Sequence, residues 1–317
     1  MENSILVTLA DGSAQPLADL ARRHDVSVTE LEAIIERLRH DGLTLAIDQS
    51  ASVRWLNHAT PLQTTRILPE LNPAARAQLG RLAIFYSLDS TNLYLSRAST
   101  HLGDVCLAEM QTAGRGRRGR RWVSPPCANL YLSLVWKFDT NVSLDCLSLG
   151  IGAVSAAALS TLTGLEIGLK WPNDLYLNER KLGGILIDLS NQGNQTRAII
   201  GIGINIAMPP EQPDIDQDWT QLAQFLTTSR YQRNEYVAEL LNHLLPWLAL
   251  FPSLNADSVR TLWATRDICR GRPVRVITAD GEYFGAGAGV DESSRFRLLT
   301  GTHYRTFASG EVSLRLA

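Results

Sequence analysis

The chain has 317 residues, 45% of them hydrophobic and 20% charged, with 30 Lys and Arg against 32 Asp and Glu. That length accommodates two or three domains around a substantial core. A net charge of −2 excludes a protein that coats nucleic acid by bulk charge, so any anion site must be local.

Four cysteines, Cys106, Cys127, Cys146 and Cys269, form no CxxC pair, and none stands near a histidine at ligand spacing. This argues against a zinc site or a disulfide framework and fits a reducing cytoplasm. The opening "MENSILVTLADGS" has no basic n-region followed by a long apolar stretch, so no signal peptide is expected. No window reaches the ~18 uncharged apolar residues of a membrane span.

The segment "QPLADLARRHDVSVTELEAIIERLRHDGL" (15–43) predicts two short helices and a turn. Leu17, Leu20 and Ala21 give the first an apolar face. Ser27 stands three residues before Glu30, the capping-box spacing. Val28, Leu31, Ile34, Ile35 and Leu38 then recur at helical spacing, and Asp41-Gly42 ends the run. Two β-like runs follow, "LTLAI" (43–47) and "SVRWL" (52–56), and the pattern suits a winged helix-turn-helix over residues 1–62. Ser27, Thr29 and Arg37 are the candidates for DNA contact. The charge pattern is mixed. Glu30 and Glu32 occupy the N-terminal part of the second helix, and the candidate wing (47–52) has no Lys or Arg. A helical domain that contacts protein instead of DNA therefore stays open, because phosphate neutralisation dominates DNA affinity. The stretch "NHATPLQTTRILPELNPAAR" (57–76) is rich in Pro, Thr and Asn and reads as a linker, with 63–80 as the span between the two domains.

From Arg81 the pattern becomes mixed α/β. Strands are expected over 81–88, 104–111, 128–136, 167–178, 181–190 and 197–208, and "DSTN" (89–92) is placed to cap a helix after the first. A small-residue-rich helix is expected over 144–164, and two more near 231–251 and 256–265. Consecutive strands without intervening helices suggest an α+β layer rather than a doubly wound sheet. The final segment, 271–317, has short alternating runs and Gly/Asp turns that suit a small SH3-like barrel.

Between the second and third central strands, "GRGRRGRR" (114–121) places five Arg and three Gly in eight positions. Such a loop could bind nucleic acid, bind the phosphates of a small ligand, or be a solvated turn. Five neighbouring guanidinium groups repel one another unless an anion is present, and the rest of the chain has little basic surplus. A compact polyanion such as a nucleoside triphosphate suits the loop best. Arg supplies forked donors, and Gly114, Gly116 and Gly119 allow close approach. No Walker pattern is present. An empty loop of this kind is expected to be mobile. A second polar cluster, "KWPNDLYLNERKLGGIL" (170–186), interleaves Lys170, Asn173, Asp174 and Lys181 with apolar residues. It reads either as an ordinary hairpin with polar turns or as an ammonium placed at a phosphate or carboxylate.

Taken together, "DSTN", "QTAGRGRRGRRW" (111–122), "ANLYLS" (128–133), "KWPNDLYLNERKLGGIL", "GIGIN" (201–205) and "GEVSLR" (310–315) resemble the biotin protein ligases, in the bifunctional bacterial class that joins a ligase to a DNA-binding repressor domain. The resemblance implies an α+β protein with an N-terminal winged helix-turn-helix (1–62), a linker (63–80), a mixed-sheet ligase domain of the biotin/lipoate type (81–268) and an SH3-like C-terminal barrel (269–317). The implied activity has two steps. Biotin and ATP, with Mg²⁺, form biotinyl-5′-AMP, and a lysine of the biotin carboxyl carrier protein of acetyl-CoA carboxylase then attacks it.

The same resemblance places Ser90, Thr91 and Asn92 at the biotin head group, with Gln111, Arg115, Gly116 and Arg117 lining that site. It makes Lys181, Arg117 and Asp174 catalytic: cations offset the repulsion of two anions, and Asp174 orients the incoming amine. Arg118, Arg120, Trp122, Asn205 and Arg315 are nucleotide contacts on this basis. No metal is expected on protein ligands. Operator DNA and an adenylate-bound homodimer are further implied partners. Pro126-Cys127 departs from the family, whose corresponding strand often follows Gly. A lipoate ligase, or a transcription factor using an adenylate only as corepressor, are the competing readings. The "GRGRRGR" loop favours biotin over lipoate, and intact Lys181 and Asp174 favour catalysis.

Overall fold

A computed structural model describes residues 1–56, 59–209, 215, 217–226, 232–310 and 312–316. Asn57, His58, Tyr231 and Glu311, which the expected segments include, lie outside the described residues.

The chain begins with helix α1 (Glu2–Leu9), the short strand β1 (Gln15–Pro16), α2 (Leu17–Arg23), α3 (Val28–His40), β2 (Leu45–Ile47) and β3 (Ser52–Trp55). The strands form an antiparallel sheet in the order β1-β3-β2. The capping box at α3 is present: Ser27 Oγ accepts the Glu30 N–H at 3.2 Å, and the Ser27 N–H donates to Glu30 Oε2 at 2.8 Å. Leu31, Ile34, Ile35 and Leu38 then fall on one face and bury against Ile5, Leu6, Leu20, Val53 and Trp55.

The central unit runs β4 (Leu82–Leu88), α6 (Thr91–Arg97), β5 (Val105–Gln111), β6 (Leu130–Asp139), α7 (Leu147–Thr163), β7 (Gly168–Lys170), β8 (Asp174–Leu177), β9 (Arg180–Gln192) and β10 (Gln195–Ile204); α8 (Arg233–Leu250) and α9 (Ala256–Ala264) follow. The helices numbered α4 (Thr64–Ile67) and α5 (Pro73–Gln78) precede it. Its seven strands form one mixed sheet, β4-β5-β6-β10-β9-β8-β7, in which only the β4–β5 pair is parallel. Alternation along the strands separates two faces. Cys106, Val135 and Ile199 meet Leu95 of α6 on one face, while Leu107, Leu134, Ala198 and Ile200 join the core under α7 and α8 on the other. Small residues in α7 let α8 approach closely; a Cβ on Gly150 would stand 2.2 Å from the Trp247 ring. Gly164 ends α7 in the left-handed region, at φ 70°.

Five further strands, β11 (Pro273–Thr278), β12 (Gly281–Val290), β13 (Phe296–Thr300), β14 (His303–Phe307) and β15 (Ser313–Leu316), make an antiparallel sheet ordered β14-β13-β12-β11-β15. Val274, Val276, Phe296, Leu298 and Leu314 belong to the same buried cluster as the central sheet.

Residues 63–80 are not a free linker, and this corrects the sequence expectation. Leu62, Ile67 and Ala75 are fully buried in the central core. Asn234 Oδ1 of α8 accepts the Gln63 N–H and Asn242 Oδ1 accepts the Asn72 N–H, both at 2.8 Å. The Asn and Pro that suggested a loop are a helix start: Asn72 Oδ1 accepts the Ala75 N–H at 2.8 Å, and Pro73 sits where a missing N–H carries no penalty.

The N-terminal unit is also packed against the centre. Tyr86 OH of β4 donates to Asp41 Oδ2 at 2.8 Å, and Tyr86 and Cys127 sit in the N-terminal cluster. Beneath this contact Arg233 and Glu109 form an ion pair of 2.6 Å with side chains 2% and 0% exposed. Arg233 also donates to the carbonyls of Thr60 and Asn129, and Glu109 accepts the Leu62 N–H. A buried pair stripped of one member leaves an uncompensated charge, at a cost of about 3–5 kcal/mol. Arg233→Met is therefore expected to lower the unfolding free energy from a urea titration by that amount, with a lower midpoint, and Glu109→Gln in the same chain should recover part of it. An unchanged midpoint in the single variant contradicts this role.

Candidate active site

One pocket lies where the C-terminal ends of β4 and β5 meet β9, β10 and the C-terminal sheet. Its inner end is lined by hydroxyl and amide side chains that hydrogen-bond one another, with the Asp188 carboxylate at the edge of the lattice. Ser90 occupies the N-cap position of α6 but makes no side-chain cap, contrary to the capping expected of "DSTN". The Thr91 N–H donates to Gln111 Oε1 at 2.9 Å, and Thr91 Oγ1 meets the same oxygen at 3.2 Å. Ser133 Oγ lies 2.7 Å from Thr91 Oγ1 and 2.5 Å from Asn92 Oδ1. Asn92 Nδ2 donates to Asp188 Oδ2 at 3.1 Å, and Gln111 Nε2 to Ser124 Oγ at 3.0 Å. Ser90, Thr91, Asn92 and Ser133 are buried. Gly201 makes room for this lattice, since a Cβ there would stand 2.3 Å from Asn92 Oδ1.

The outer end is cationic, and the Arg/Gly loop forms its lid. The Gly116 N–H donates to the Arg120 carbonyl at 2.7 Å and the Trp122 N–H to Gly114 at 2.9 Å, so the loop is a narrow hairpin. Arg118 at its tip is left-handed, at φ 59°. The loop was expected to be mobile from mutual repulsion; in this structure most of its guanidinium groups have partners. Arg115 pairs with Asp188 at 3.1 Å. Arg117 donates to Asn173 Oδ1 at 3.0 Å and to the Ser309 carbonyl, and Arg118 to the Gly310 carbonyl at 2.9 Å. Arg120 is exposed at the rim. At the loop's far end Cys127 adopts φ 57°, a region that favours glycine.

Lys181 and Asp174 face each other at 2.9 Å, with side chains 14% and 16% exposed. The β8–β9 pairing around Gly183 and Gly184 brings them together. Lys181 Nζ is 5.5 Å from the centre of the Trp122 ring. That ring packs against β10, where a Cβ on Gly203 would stand 2.6 Å away. Trp122 Nε1 is buried without a hydrogen-bond partner. Of the remaining candidates, Arg315 lines this pocket. Asn205 does not: its Nδ2 donates to the Thr220 carbonyl at 3.1 Å, and it lines an adjoining cavity that shares Trp122, Arg120 and Lys181 as a wall. The DNA candidates lie far along the chain on α3. Ser27 is engaged in the capping box, Arg37 pairs with Glu2 at 3.6 Å, and Thr29 is exposed.

Residue chemistry alone did not single out Ser133, Ser124, Asp188 or the two glycines that admit Asn92 and Trp122. Ser133 stands in the "ANLYLS" strand, and its inward phase on β6 is the one signal that could have marked it.

The biotin/lipoate A/B protein ligase family model matches residues 84–205, the stretch that builds most of this pocket. The bifunctional ligase/repressor BirA of Escherichia coli (strain K12) is 40% identical over 99% of this chain and 97% of its own length. The protein of the same name from Salmonella typhimurium is 35% identical over the same shares. The chain belongs to the biotin/lipoate protein ligase family. Among solved structures, the biotin protein ligase from Aquifex aeolicus in complex with biotin and ATP is similar with a TM-score of 0.66 and 28% identity, covering 75% of this chain and 100% of that one. The central mixed α+β sheet is thus a family fold.

Ser133→Ala in this family member leaves two buried polar groups short of a partner. It should cost about 1–3 kcal/mol in a denaturant titration. A change within ~0.5 kcal/mol would mean that the inner lattice is not cooperative.

Proposed function

We propose that the protein is an ATP-dependent biotin protein ligase. One observation carries this reading: a single pocket joins a neutral hydrogen-bonding end to a cationic end. Biotin has that polarity, with a ureido ring that donates and accepts at one end and a carboxylate at the other. Ser90, Thr91, Asn92 and Gln111 would hold the ring. Arg115, Gly116 and Arg117 would close over the tail. Trp122, Arg118, Arg120, Asn205 and Arg315 would receive the nucleotide, and its buried indole N–H offers an unused donor.

In the first step a biotin carboxylate oxygen attacks the α-phosphorus of ATP, and pyrophosphate leaves as biotinyl-5′-AMP forms. Two anions must meet, and preorganised cations lower that barrier. Lys181 and Arg117 fill this role, with Mg²⁺ entering on the phosphates of ATP. In the second step an acceptor lysine amine attacks the acyl carbon and AMP leaves. Asp174 orients that amine and takes its proton. The acceptor is the biotin carboxyl carrier protein of acetyl-CoA carboxylase, and the setting is the cytoplasm. No helix among the described residues is long and apolar enough to cross a membrane.

Residues 1–62 are proposed as a winged helix-turn-helix, 81–268 as the ligase domain and 269–317 as an SH3-like unit. With the adenylate bound, a homodimer would present two copies of α3 to an operator. The exposed charge of α3 is poorly suited to tight binding. Glu32 carries no capping role, and Glu36 pairs with Arg39.

Lys181→Ala is expected to lower biotin-dependent ATP–pyrophosphate exchange by a factor of at least ~100, since a charge-assisted contact to the transition state is lost, in a protein that stays folded. Undiminished exchange in the folded variant would overturn the assignment. Operator binding by the adenylate-bound protein should be weak, with a shallow dependence on salt. Titration against its own promoter DNA at two salt concentrations checks this. Tight binding with a steep slope would contradict the charge argument, and no specific binding at low salt would make the chain a ligase only.

A further inference from the structure

Lys170 belongs to neither end of the proposed ligand. It lies on β7, and the β7–β8 register sets it directly opposite Asp174. Its side chain is nearly buried, with the residue 6% exposed, and it lines the same pocket. The ammonium donates to Tyr176 OH at 2.7 Å and stands 4.8 Å from the centre of that ring. A buried lysine whose contact is a phenol is an uncommon arrangement, because an isolated ammonium is costly to desolvate. Burial pulls this amine below its ordinary range, and Asp174 is the largest influence holding it up. The other charged or titratable groups that act on it are Cys269, Arg315 and Lys181. Those that face Asp174 are Lys181 on β9, Arg117 on the loop and Lys170 itself.

The difficulty lies with Lys181. In the ligand-free protein its ammonium is engaged by Asp174 at 2.9 Å, yet the proposed reaction needs it at the biotin carboxylate and the α-phosphate. Its departure would strip a half-buried carboxylate of its ion pair, and an uncompensated carboxylate either recaptures the lysine or takes up a proton. We infer that Lys170 is a positioning residue that exchanges Tyr176 for Asp174 when Lys181 moves onto the ligand, so that Asp174 keeps a cation throughout the reaction. Cross-strand partners bring Cβ atoms within about 5 Å of one another, so a change of rotamer suffices and no backbone movement is required. Tyr176 OH is the resting acceptor for the ammonium. Because burial and a neighbouring carboxylate keep that phenol protonated well above its ordinary range, it serves as a neutral partner. The inference rests on the ligase reading for its second test and is independent of that reading for its first.

The first test uses the ligand-free protein. In Tyr176→Phe the ammonium of Lys170 loses its resting acceptor and moves to Asp174, which loosens Lys181. Reductive methylation of Lys181, followed by peptide mass spectrometry, should then proceed at least ~3-fold faster than in the parent, and Tyr176→Phe combined with Lys170→Met should return to the parent rate. Equal labelling in parent and Tyr176→Phe would overturn the exchange. The second test forms the adenylate on the enzyme, adds acceptor protein and follows a single turnover across pH. Lys170→Met should move the acidic limb of the transfer rate to higher pH and lower the rate at pH 7 by at least ~10-fold, with KM for ATP and biotin within ~3-fold of the parent. Lys170→Arg should restore most of the loss. An unmoved limb overturns the inference, as does a defect confined to KM for ATP, which would make Lys170 a phosphate ligand instead. A parent enzyme that forms no adenylate overturns the ligase reading, and the labelling result then stands by itself.

Discussion

Cations crowded into one pocket repel one another, and most of the structure around the site answers that repulsion. Two ionised groups 4 Å apart interact by several kcal/mol where water is partly excluded. Arg115, Arg117, Arg118 and Lys181 line the same cavity. Each is matched locally: Asp188 takes Arg115, Asp174 takes Lys181, and backbone carbonyls at Ser309 and Gly310 take Arg117 and Arg118. These partners come from β8, β9 and the segment after β14. The loop can therefore close only where the central sheet and the C-terminal sheet meet, and their shared core fixes that meeting.

On the proposed reading, a ligand with two anionic groups would replace these internal partners. Carboxylate and phosphate oxygens would draw Lys181 from Asp174, and the arginines from their carbonyls. The ligand-free partners would then act as placeholders, and the binding free energy would reflect exchange of partners rather than creation of new contacts. The neutral end of the pocket differs. There Thr91, Asn92, Gln111 and Ser133 already hydrogen-bond one another, so their orientation is fixed in advance, and a ureido ring would extend an existing lattice.

Local signals in the sequence were legible. Ser27 and Glu30 announced the start of α3, Gly164 the end of α7, and the period-2 runs the strands that carry the site. The clustering of arginines and the Lys181–Asp174 neighbourhood were legible as well. What escaped depends on partners distant in the chain. The 63–80 segment looked like a linker because its Asn and Pro are ambiguous by themselves, and only Asn234 and Asn242 of α8 make them a docked element. Ser90 looked like a cap because its sequence position is right, but its hydroxyl makes no cap bond, and the lattice beside it is organised by Gln111 from the neighbouring strand, which takes the Thr91 N–H. Gly201 and Gly203 looked like ordinary strand glycines. Their purpose, space for Asn92 and Trp122, exists only once the sheet has formed.

The central claim is that the two ends of this pocket join one biotin to one nucleotide. The most direct measurement mixes the purified protein with biotin and α-labelled ATP and Mg²⁺, without acceptor, and identifies the nucleotide product that stays bound. The account predicts biotinyl-5′-AMP, close to one per chain, with release of pyrophosphate. Formation of ADP and phosphate, or an adenylate made from lipoate and not from biotin, would contradict it.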